Sequence, residues 1–168
     1  EYLADSAALL AHRRPRDSAE RGRWVMHVVS LEGRTQGAVE WETDRARFLG
    51  RGRGVDNPIA LDGRALSGTS GVVLDPILSL RQRVRVLPGA TVRLSFATGM
   101  AADRDTAVAL AHTYRDPRAA SRAFALALAH AQSGRRHLDI SVDDAVLFER
   151  LASRVLAADG SLRAPADV

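Results

Sequence analysis

The spacing between apolar residues changes near residue 100 of this chain. Before that point, several stretches alternate apolar and polar residues or are apolar throughout, as strands are. From Asp103 onward, apolar residues recur with a period of about 3.6, as on one face of a helix. The pattern predicts an α+β chain, with a β portion over residues 1–100 and two to three α-helices over residues 101–168.

Two stretches of the first portion predict strands. Residues 24–31 are apolar on both faces, which is typical of a strand in the centre of a sheet. Residues 38–43 alternate around Trp41, with Glu40 and Glu42 pointing the other way. Residues 5–14, in contrast, have helical character and end at a polar, arginine-rich break.

A hairpin is predicted around Pro88 and Gly89, because this pair suits positions i+1 and i+2 of a type II turn. Short strands over residues 72–74 and 78–87 precede the turn, and alternating residues from 91 to 96 follow it. One face of this hairpin would be apolar and the other would carry four arginines. A solvated or salt-bridged face is the favoured interpretation, with carbohydrate or phosphate binding as the alternative.

Three helices are predicted in the second portion. The first follows Asp103, and the second begins where Asp116 caps Pro117 and ends near Gly134. The third begins at Ser141, with acidic residues in its first turn. Their apolar faces need a partner, which is either a further domain or the sandwich itself.

Composition excludes several classes of function. The chain of 168 residues has no cysteine, so neither a disulfide framework nor a thiol nucleophile is present. All 24 basic residues are arginine, and acids are interspersed among them to leave a net charge of +4. Aromatic residues make up only 5% of the chain, so the clustered basic and aromatic pattern of a nucleic-acid-binding surface is missing.

Carboxylates are the first candidates for chemistry, because glycoside cleavage needs a general acid. The candidates considered are Asp44, Asp56, Asp75 and the Asp143–Asp144 pair, and none is convincing. Asp75 precedes Pro76 and suits a turn, and the helix dipole accounts for Asp143 and Asp144 in a first turn. The five histidines lack the spacing of metal ligands. We therefore predict no catalytic residue and no metal site in this chain.

Three stretches resemble a known family: residues 42–53 (ETDRARFLGRGR), 66–81 (LSGTSGVVLDPILSLR) and 114–117 (YRDP). The chain resembles the inverting glycoside phosphorylases that include cellobiose phosphorylase, and in particular the phosphorylase-like region of cyclic β-1,2-glucan synthases. This resemblance implies that residues 1–100 are the later part of an antiparallel, supersandwich-like β-sandwich domain. Residues 101–168 are then a helical linker into an (α/α)6 barrel, which holds the general acid and is expected to lie outside this chain. The chain is thus expected to be a fragment that is inactive alone.

The resemblance also implies a candidate substrate-binding loop. Glycines 50, 52 and 54 favour an open loop, and no Gly-Lys-Ser/Thr follows to make it a phosphate-binding loop. The predicted substrate-binding residues are Asp44, Arg45, Arg47, Phe48 and Arg51. The alternative is that Asp44 pairs with Arg45 or Arg47 to hold the loop, with Phe48 in the core.

The expected partners are a β-glucan or gluco-oligosaccharide and the barrel of the parent chain, with a homodimer left open. No cofactor is expected, and inorganic phosphate is the implied co-substrate of the parent enzyme. Neither nucleic acid nor direct membrane insertion is expected, and the cytoplasm is the expected location, with the parent either free or attached to the bacterial inner membrane. A carbohydrate-binding or assembly module without phosphorylase activity is the alternative, and linkage specificity stays open.

Overall fold

Strands and helices occupy the two halves of the chain in the predicted order. The structure, a computed structural model, describes residues 1–18, 21–158 and 160, and it divides the chain into a first unit, residues 1–121, and a second unit, residues 122–168. The strands are β1 (Tyr2–Leu3), β2 (Ala8–Arg13), β3 (Arg23–Glu32), β4 (Glu40–Asp44), β5 (Pro76–Arg81) and β6 (Arg93–Ala101). The helices are α1 (Arg45–Leu49), α2 (Arg104–Arg115), α3 (Pro117–His137) and α4 (Val142–Leu156), with a 3-10 helix at Ile59–Leu61.

The long strand β3 is the centre of the first unit. It pairs antiparallel with β2 on one side and along its length with β6 on the other, in the order β1-β2-β3-β6. Val28 of β3 lies opposite both Ala8 and Ala97. A second sheet consists of β4 and β5, also antiparallel. The fold is therefore α+β with antiparallel sheets, as the sequence pattern predicts.

Both faces of the four-stranded sheet are covered, because β3 is apolar at successive positions. One face packs against α2, in a core cluster of Ala8, Leu10, Met26, Val28, Ala101, Ala107 and Ala111. The opposite face packs against residues of β4, β5 and their neighbours, in a cluster of Ala7, Leu9, Val29, Val39 and Leu80. The first unit thus has three layers, with the long sheet in the middle.

The helix predicted over residues 5–14 is wrong, since this segment contains β2. Leu9 and Leu10 are adjacent in sequence and both almost fully buried, at 0% and 2% exposure, in the clusters on opposite faces of the sheet. A strand covered on both sides needs apolar residues at successive positions, and a short run of this kind cannot be distinguished from a buried helix by its spacing. The burial of both faces decides the structure here.

The hairpin predicted around Pro88 is also wrong, although its turn is present. Ala90 N donates to Leu87 O over 3.0 Å, and Gly89 has a φ of 72°. The flanking strands nevertheless pair elsewhere: β5 pairs with β4 and β6 pairs with β3. The strand predicted over residues 72–74 is a loop, and Val72 and Leu74 are fully exposed. Burial against the core outweighs the local turn signal.

The predicted helix starts are confirmed. The Asp103 side chain caps α2 by accepting from Thr106 N, and the Asp116 side chain accepts from Arg118 N at the start of α3. Ser141 caps α4 by accepting from Asp144 N. The α3 helix continues three residues past the predicted end at Gly134, to His137. Of the two partners considered for α2, the sheet is the one that covers its apolar face.

The packing of α2 against the sheet predicts a sharp position dependence of substitutions in this helix. Ala107 has 0% exposure beneath the sheet, whereas Ala109 faces solvent. Ala107→Leu is expected to lower the free energy of unfolding by about 1–3 kcal/mol, because extra methylenes overpack a filled core. Urea unfolding followed by circular dichroism measures the change. Ala109→Leu is the matched control, and an equal loss in both variants would contradict this packing.

Candidate functional site

The loop between β4 and β5 begins with a single capped helical turn. Asp44 Oδ1 accepts hydrogen bonds from Ala46 N at 2.9 Å and from Arg47 N at 3.4 Å, as an N-cap residue does. The turn α1 ends at Gly50, whose φ of 82° is costly for other residues. A Cβ at Gly50 would lie 2.9 Å from Ile59 Cβ, so glycine also allows the two helical segments to approach closely.

Glu40 and Arg81 are register partners on β4 and β5, and their ion pair anchors the loop. Glu40 Oε2 also accepts from Leu66 N at 2.8 Å, and Arg81 Nη1 donates to Ala60 O at 2.5 Å. A further bond runs from Arg81 Nη2 to the carbonyl oxygen of Arg64. One cross-strand pair thus holds three separate points of the loop. The Arg81 guanidinium and the Leu66 N–H hold the pKa of Glu40 below its ordinary value of 4.5.

Glu42, two residues along the same strand, is a buried carboxylate with 2% exposure. Its Oε1 accepts from the backbone N–H groups of Thr43 and Asp44, each at 3.0 Å, and its Oε2 accepts from Ser67 Oγ. A buried carboxylate is tolerated when donors satisfy its oxygens, as they do here. Thr43 Oγ1 adds a bond to Thr69 O at 2.8 Å, so this strand clamps the loop over residues 67–69.

The apolar side of β4 supports the same loop. Trp41 stacks on Tyr2 with ring centroids 3.6 Å apart, and its carbonyl oxygen accepts from Gly68 N at 3.0 Å. A Cβ on Gly68 would lie 3.4 Å from the Trp41 ring, and the φ of this residue is 65°. Glycine therefore suits both the conformation and the close approach at this point.

A cavity of about 360 Å³ lies between β4 and this loop. That volume is at the small end of the range of ligand sites, about 300–1,000 Å³. Charged and hydroxyl-bearing residues share its lining with apolar residues. The lining residues are Glu42, Arg47, Ile59, Ala60, Arg64, Ala65, Leu66 and Ser67. The two arginines and the serine in this lining can donate hydrogen bonds to a ligand rich in oxygen atoms.

Three of the predicted substrate-binding residues, Asp44, Arg45 and Phe48, are not among the residues that line the cavity. Asp44 caps α1, and its Oδ2 lies 3.7 Å from Arg47 Nε. Arg45 Nη1 lies 3.7 Å from Asp75 Oδ2, so its partner is not Asp44. Phe48 is half-buried. The pairing of Asp44 with Arg47 in the alternative interpretation matches the observed contacts, whereas its placement of Phe48 in the core does not, because Phe48 belongs to neither core cluster.

The two remaining predicted residues, Arg47 and Arg51, are exposed. Arg47 lines the cavity, and its Nη1 donates to Thr69 Oγ1 over 3.2 Å. Arg51 follows Gly50 in the turn after α1 and is not among the lining residues. The structure therefore brings one of the five predicted residues to the cavity wall.

Sequence reasoning missed the residues that organise this region. Glu40, Glu42, Arg81 and Ser67 were not proposed for any role at the site, although Glu40 and Glu42 were placed on the strand face opposite Trp41. The available signal is that Glu40 and Glu42 occupy alternate positions of a strand, a pattern that indicates a strand face in contact with solvent. Only the loop over residues 63–69 shows that this face is covered.

Two of the other carboxylates considered for chemistry make contacts within the chain. Asp75 pairs with Arg45, and Asp144 contacts Ser141 at the start of α4. Among the described residues, no group of three His, Cys, Asp or Glu side chains is placed to hold a metal ion. No helix within the described part of the chain combines the length and apolar character needed to cross a membrane.

The anchoring role of Glu40 predicts a pH-dependent stability. Because folding lowers the pKa of this carboxyl, its contribution is fully present above about pH 4.5 and is lost as the pH falls through the lowered pKa. Glu40→Gln is expected to reduce the free energy of unfolding by about 1.5–3 kcal/mol at neutral pH, the range for hydrogen bonds to charged groups. Urea unfolding from pH 7 to pH 3 should show the wild type and the variant converging in acid.

Glu32→Gln is the matched control, because Glu32 also pairs with a cross-strand arginine but is more exposed. An exposed pair contributes about 0–1 kcal/mol, so the control should change little. A difference between wild type and Glu40→Gln that stayed constant down to pH 3 would contradict the ionic role of Glu40.

Comparison with known proteins agrees with the resemblance drawn from residues 42–53, 66–81 and 114–117. Residues 1–117 match the supersandwich domain of glycosyl hydrolase 94, a range that includes both sheets and α2. Over 144 residues, 85% of the chain, the sequence is 38% identical to the cyclic beta-(1,2)-glucan synthase NdvB of Rhizobium meliloti (strain 1021). The chain spans 5% of the length of that relative. The chain belongs to the glycosyl hydrolase 94 family and carries its supersandwich domain.

Proposed function

We propose that this chain is a non-catalytic supporting domain of a carbohydrate-active enzyme that acts on β-1,2-glucan. The observation that carries the proposal is the burial and hydrogen bonding of Glu42, the carboxylate that lines the cavity. Both of its oxygens accept hydrogen bonds from within the chain, and the residue is 2% exposed. A general acid must reach the substrate oxygen that it protonates, so this carboxylate serves the fold rather than the reaction.

The reaction proposed for the parent enzyme is phosphorolysis of a β-glucosidic bond with inversion. Inorganic phosphate is the co-substrate, and a single general acid is needed because phosphate is the nucleophile. That acid belongs to an (α/α)6 barrel in this proposal, and the supersandwich domain packs beside it. The family membership and the similarity to a cyclic β-1,2-glucan synthase support this assignment. The proposed location is the cytoplasm.

Within the domain, the proposed contacts to glucan come from Arg47 and Arg51. Both are exposed, and a guanidinium can donate two parallel hydrogen bonds to neighbouring hydroxyl groups. Asp44, Arg45 and Phe48 act indirectly in this proposal, by setting the path of the loop. Asp44 holds α1 in place, and α1 carries Arg47 to the cavity.

A carbohydrate-binding module without phosphorylase activity is the second candidate. The cavity beside Arg47 favours it, because a domain that only supports a neighbour needs no concave site of its own. Its volume of about 360 Å³ is sufficient for a small ligand. In the first candidate the arginines contact glucan only beside the catalytic barrel, whereas in the second the isolated chain binds glucan by itself.

The first test is phosphate-dependent release of glucose 1-phosphate from β-1,2-linked gluco-oligosaccharides by the 168-residue chain. No release is expected, because the domain lacks the proposed general acid. Binding of the same oligosaccharides is measured in parallel by isothermal titration calorimetry. Release of glucose 1-phosphate would contradict the non-catalytic role, and binding by the isolated chain would favour the second candidate.

A segment exchange tests the supporting role and the arginines together. The matched 144 residues of this chain replace their counterpart in the Rhizobium meliloti synthase, and formation of cyclic β-1,2-glucan is measured. The exchanged enzyme should stay active, and Arg47→Ala or Arg51→Ala should reduce its activity roughly tenfold, the effect of about 1.4 kcal/mol. Arg85→Ala, at another exposed arginine, is the control. Equal activity in all four proteins would contradict the proposed contacts.

A further inference from the structure

The lining of the cavity beside β4 ranges from buried to exposed residues. Glu42 and Ala60 are 2% and 6% exposed. Arg47, Arg64 and Ala65 line the same cavity and are exposed to solvent. Water therefore reaches the cavity past the exposed residues, and the buried ones close it on the other side. Such a cavity is a pocket with a mouth rather than a groove that is open at both ends.

The pocket has room for about one sugar ring. Its volume of about 360 Å³ equals that of roughly twelve water molecules in the liquid, at about 30 Å³ each. A free glucose molecule has the same number of non-hydrogen atoms. A glucan chain that continued on both sides of the bound ring would need more space and a second opening.

The charges around the pocket favour a neutral ligand with many hydroxyl groups. The Glu42 carboxylate lines it together with the guanidinium groups of Arg47 and Arg64. An anion would lie near a buried carboxylate, and like charges repel each other strongly away from bulk water. A sugar has no net charge, and its hydroxyl groups both donate and accept hydrogen bonds. A saccharide therefore suits this lining better than phosphate does.

Arg64 is the donor most available to a ligand. Arg47 Nε lies 3.7 Å from Asp44 Oδ2, so this guanidinium already has an anionic neighbour. In the part of the chain that the structure describes, the Arg64 side chain makes neither an ion pair nor a hydrogen bond, and the nearby Asp62 is bound by Arg53 at 2.8 Å. The Arg64 guanidinium can therefore donate to two adjacent ligand oxygens without breaking a contact.

The pocket is also held in shape before any ligand binds. The ion pair of Glu40 and Arg81 contacts three of the lining residues. Arg81 donates to the carbonyl oxygens of Ala60 and Arg64, and Glu40 Oε2 accepts from Leu66 N at 2.8 Å. These bonds fix both segments that bound the pocket. A preformed site of this kind loses little conformational entropy on binding.

We propose that this pocket binds the terminal glucose unit of a linear β-1,2-glucan chain, with Arg64 as a hydrogen-bond donor. The inference rests on the carbohydrate-binding candidate above and adds which part of a glucan the domain recognises. A terminal unit continues on one side only, so the rest of the chain leaves through the mouth. Cyclic β-1,2-glucan consists of internal units alone, and it is therefore excluded from the pocket.

The experiment compares the binding of three saccharides to the 168-residue chain by isothermal titration calorimetry. They are a linear β-1,2-linked gluco-oligosaccharide, a cyclic β-1,2-glucan of similar size and free glucose. The linear saccharide should bind, and the cyclic glucan should have a dissociation constant at least roughly tenfold higher. Free glucose should compete with the linear saccharide, because one ring fills the pocket.

Two variants locate the binding in the pocket. Arg64→Ala removes the free guanidinium but keeps the backbone carbonyl that Arg81 binds, and Ala65→Trp fills the mouth from an exposed position. Each should raise the dissociation constant of the linear saccharide at least roughly tenfold. The matched controls are Arg85→Ala and Ala109→Trp, at exposed positions outside the pocket, which should bind as the wild type does. Circular dichroism verifies that each variant is folded.

Equal affinity for the linear and cyclic glucans would overturn this inference, while the carbohydrate-binding candidate would stand. Absence of binding by all three saccharides would overturn both, and the supporting role would still be tested by the segment exchange. Binding that Arg64→Ala and Ala65→Trp leave unchanged would also overturn the inference, because the saccharide would then bind elsewhere on the chain. Selective binding of the linear saccharide that both variants weaken would confirm it.

Discussion

The burial of β3 on both faces is the constraint on which the first unit depends. Met26 and Val28 face α2, while Val29 faces the second sheet. A strand of this kind needs partners above and below, because either face left in water would expose a continuous apolar row. The three layers of the unit, α2, the long sheet and the β4–β5 sheet, follow from that single requirement. The small residues of α2, Ala107 and Ala111, let the helix approach the sheet closely.

The second sheet contributes more than cover for β3, since it also organises the loop that lines the cavity. The side chains of Glu40 and Glu42 lie on the side of β4 away from the core, and each accepts a hydrogen bond from the loop. The first does so with Arg81 as a cationic partner, and the second through hydrogen bonds alone. Charge and hydrogen bonding thus fix a segment of about thirty residues that has little regular structure of its own. The position of Arg47 at the cavity follows from this arrangement.

Individual elements were predicted correctly where contacts between near neighbours in sequence determine the structure. The capping residues Asp103, Asp116 and Ser141 satisfy backbone donors within their own helix, so sequence neighbours are sufficient to place the helix starts. The strand at Trp24 was recognisable for a similar reason, because its apolar length exceeds what a surface element would carry. The family resemblance is confirmed by the comparisons, and its motifs are contiguous stretches in β4, the β4–β5 loop, β5 and the junction of α2 and α3.

The failures have a common cause in long-range pairing. The turn at Pro88 forms as its sequence predicts, yet the strands beside it belong to different sheets. Glu42 has the pattern of an exposed residue, and Ser67, 25 positions away, makes it a buried one. Neither outcome is visible in a window of neighbouring residues, since both depend on which surfaces meet after the chain folds.

By itself, the sequence determined the α+β class, the change from strands to helices near residue 100, the helix caps and the family. Those properties come from contacts between near neighbours or from motifs that are contiguous in the chain. Only the tertiary structure decided that residues 8–13 form a strand, that β6 pairs with β3, and that Glu40 and Arg81 hold the loop. The physical reason is that strand pairing and burial join residues far apart in sequence, and the free energy of those contacts exceeds the local preferences.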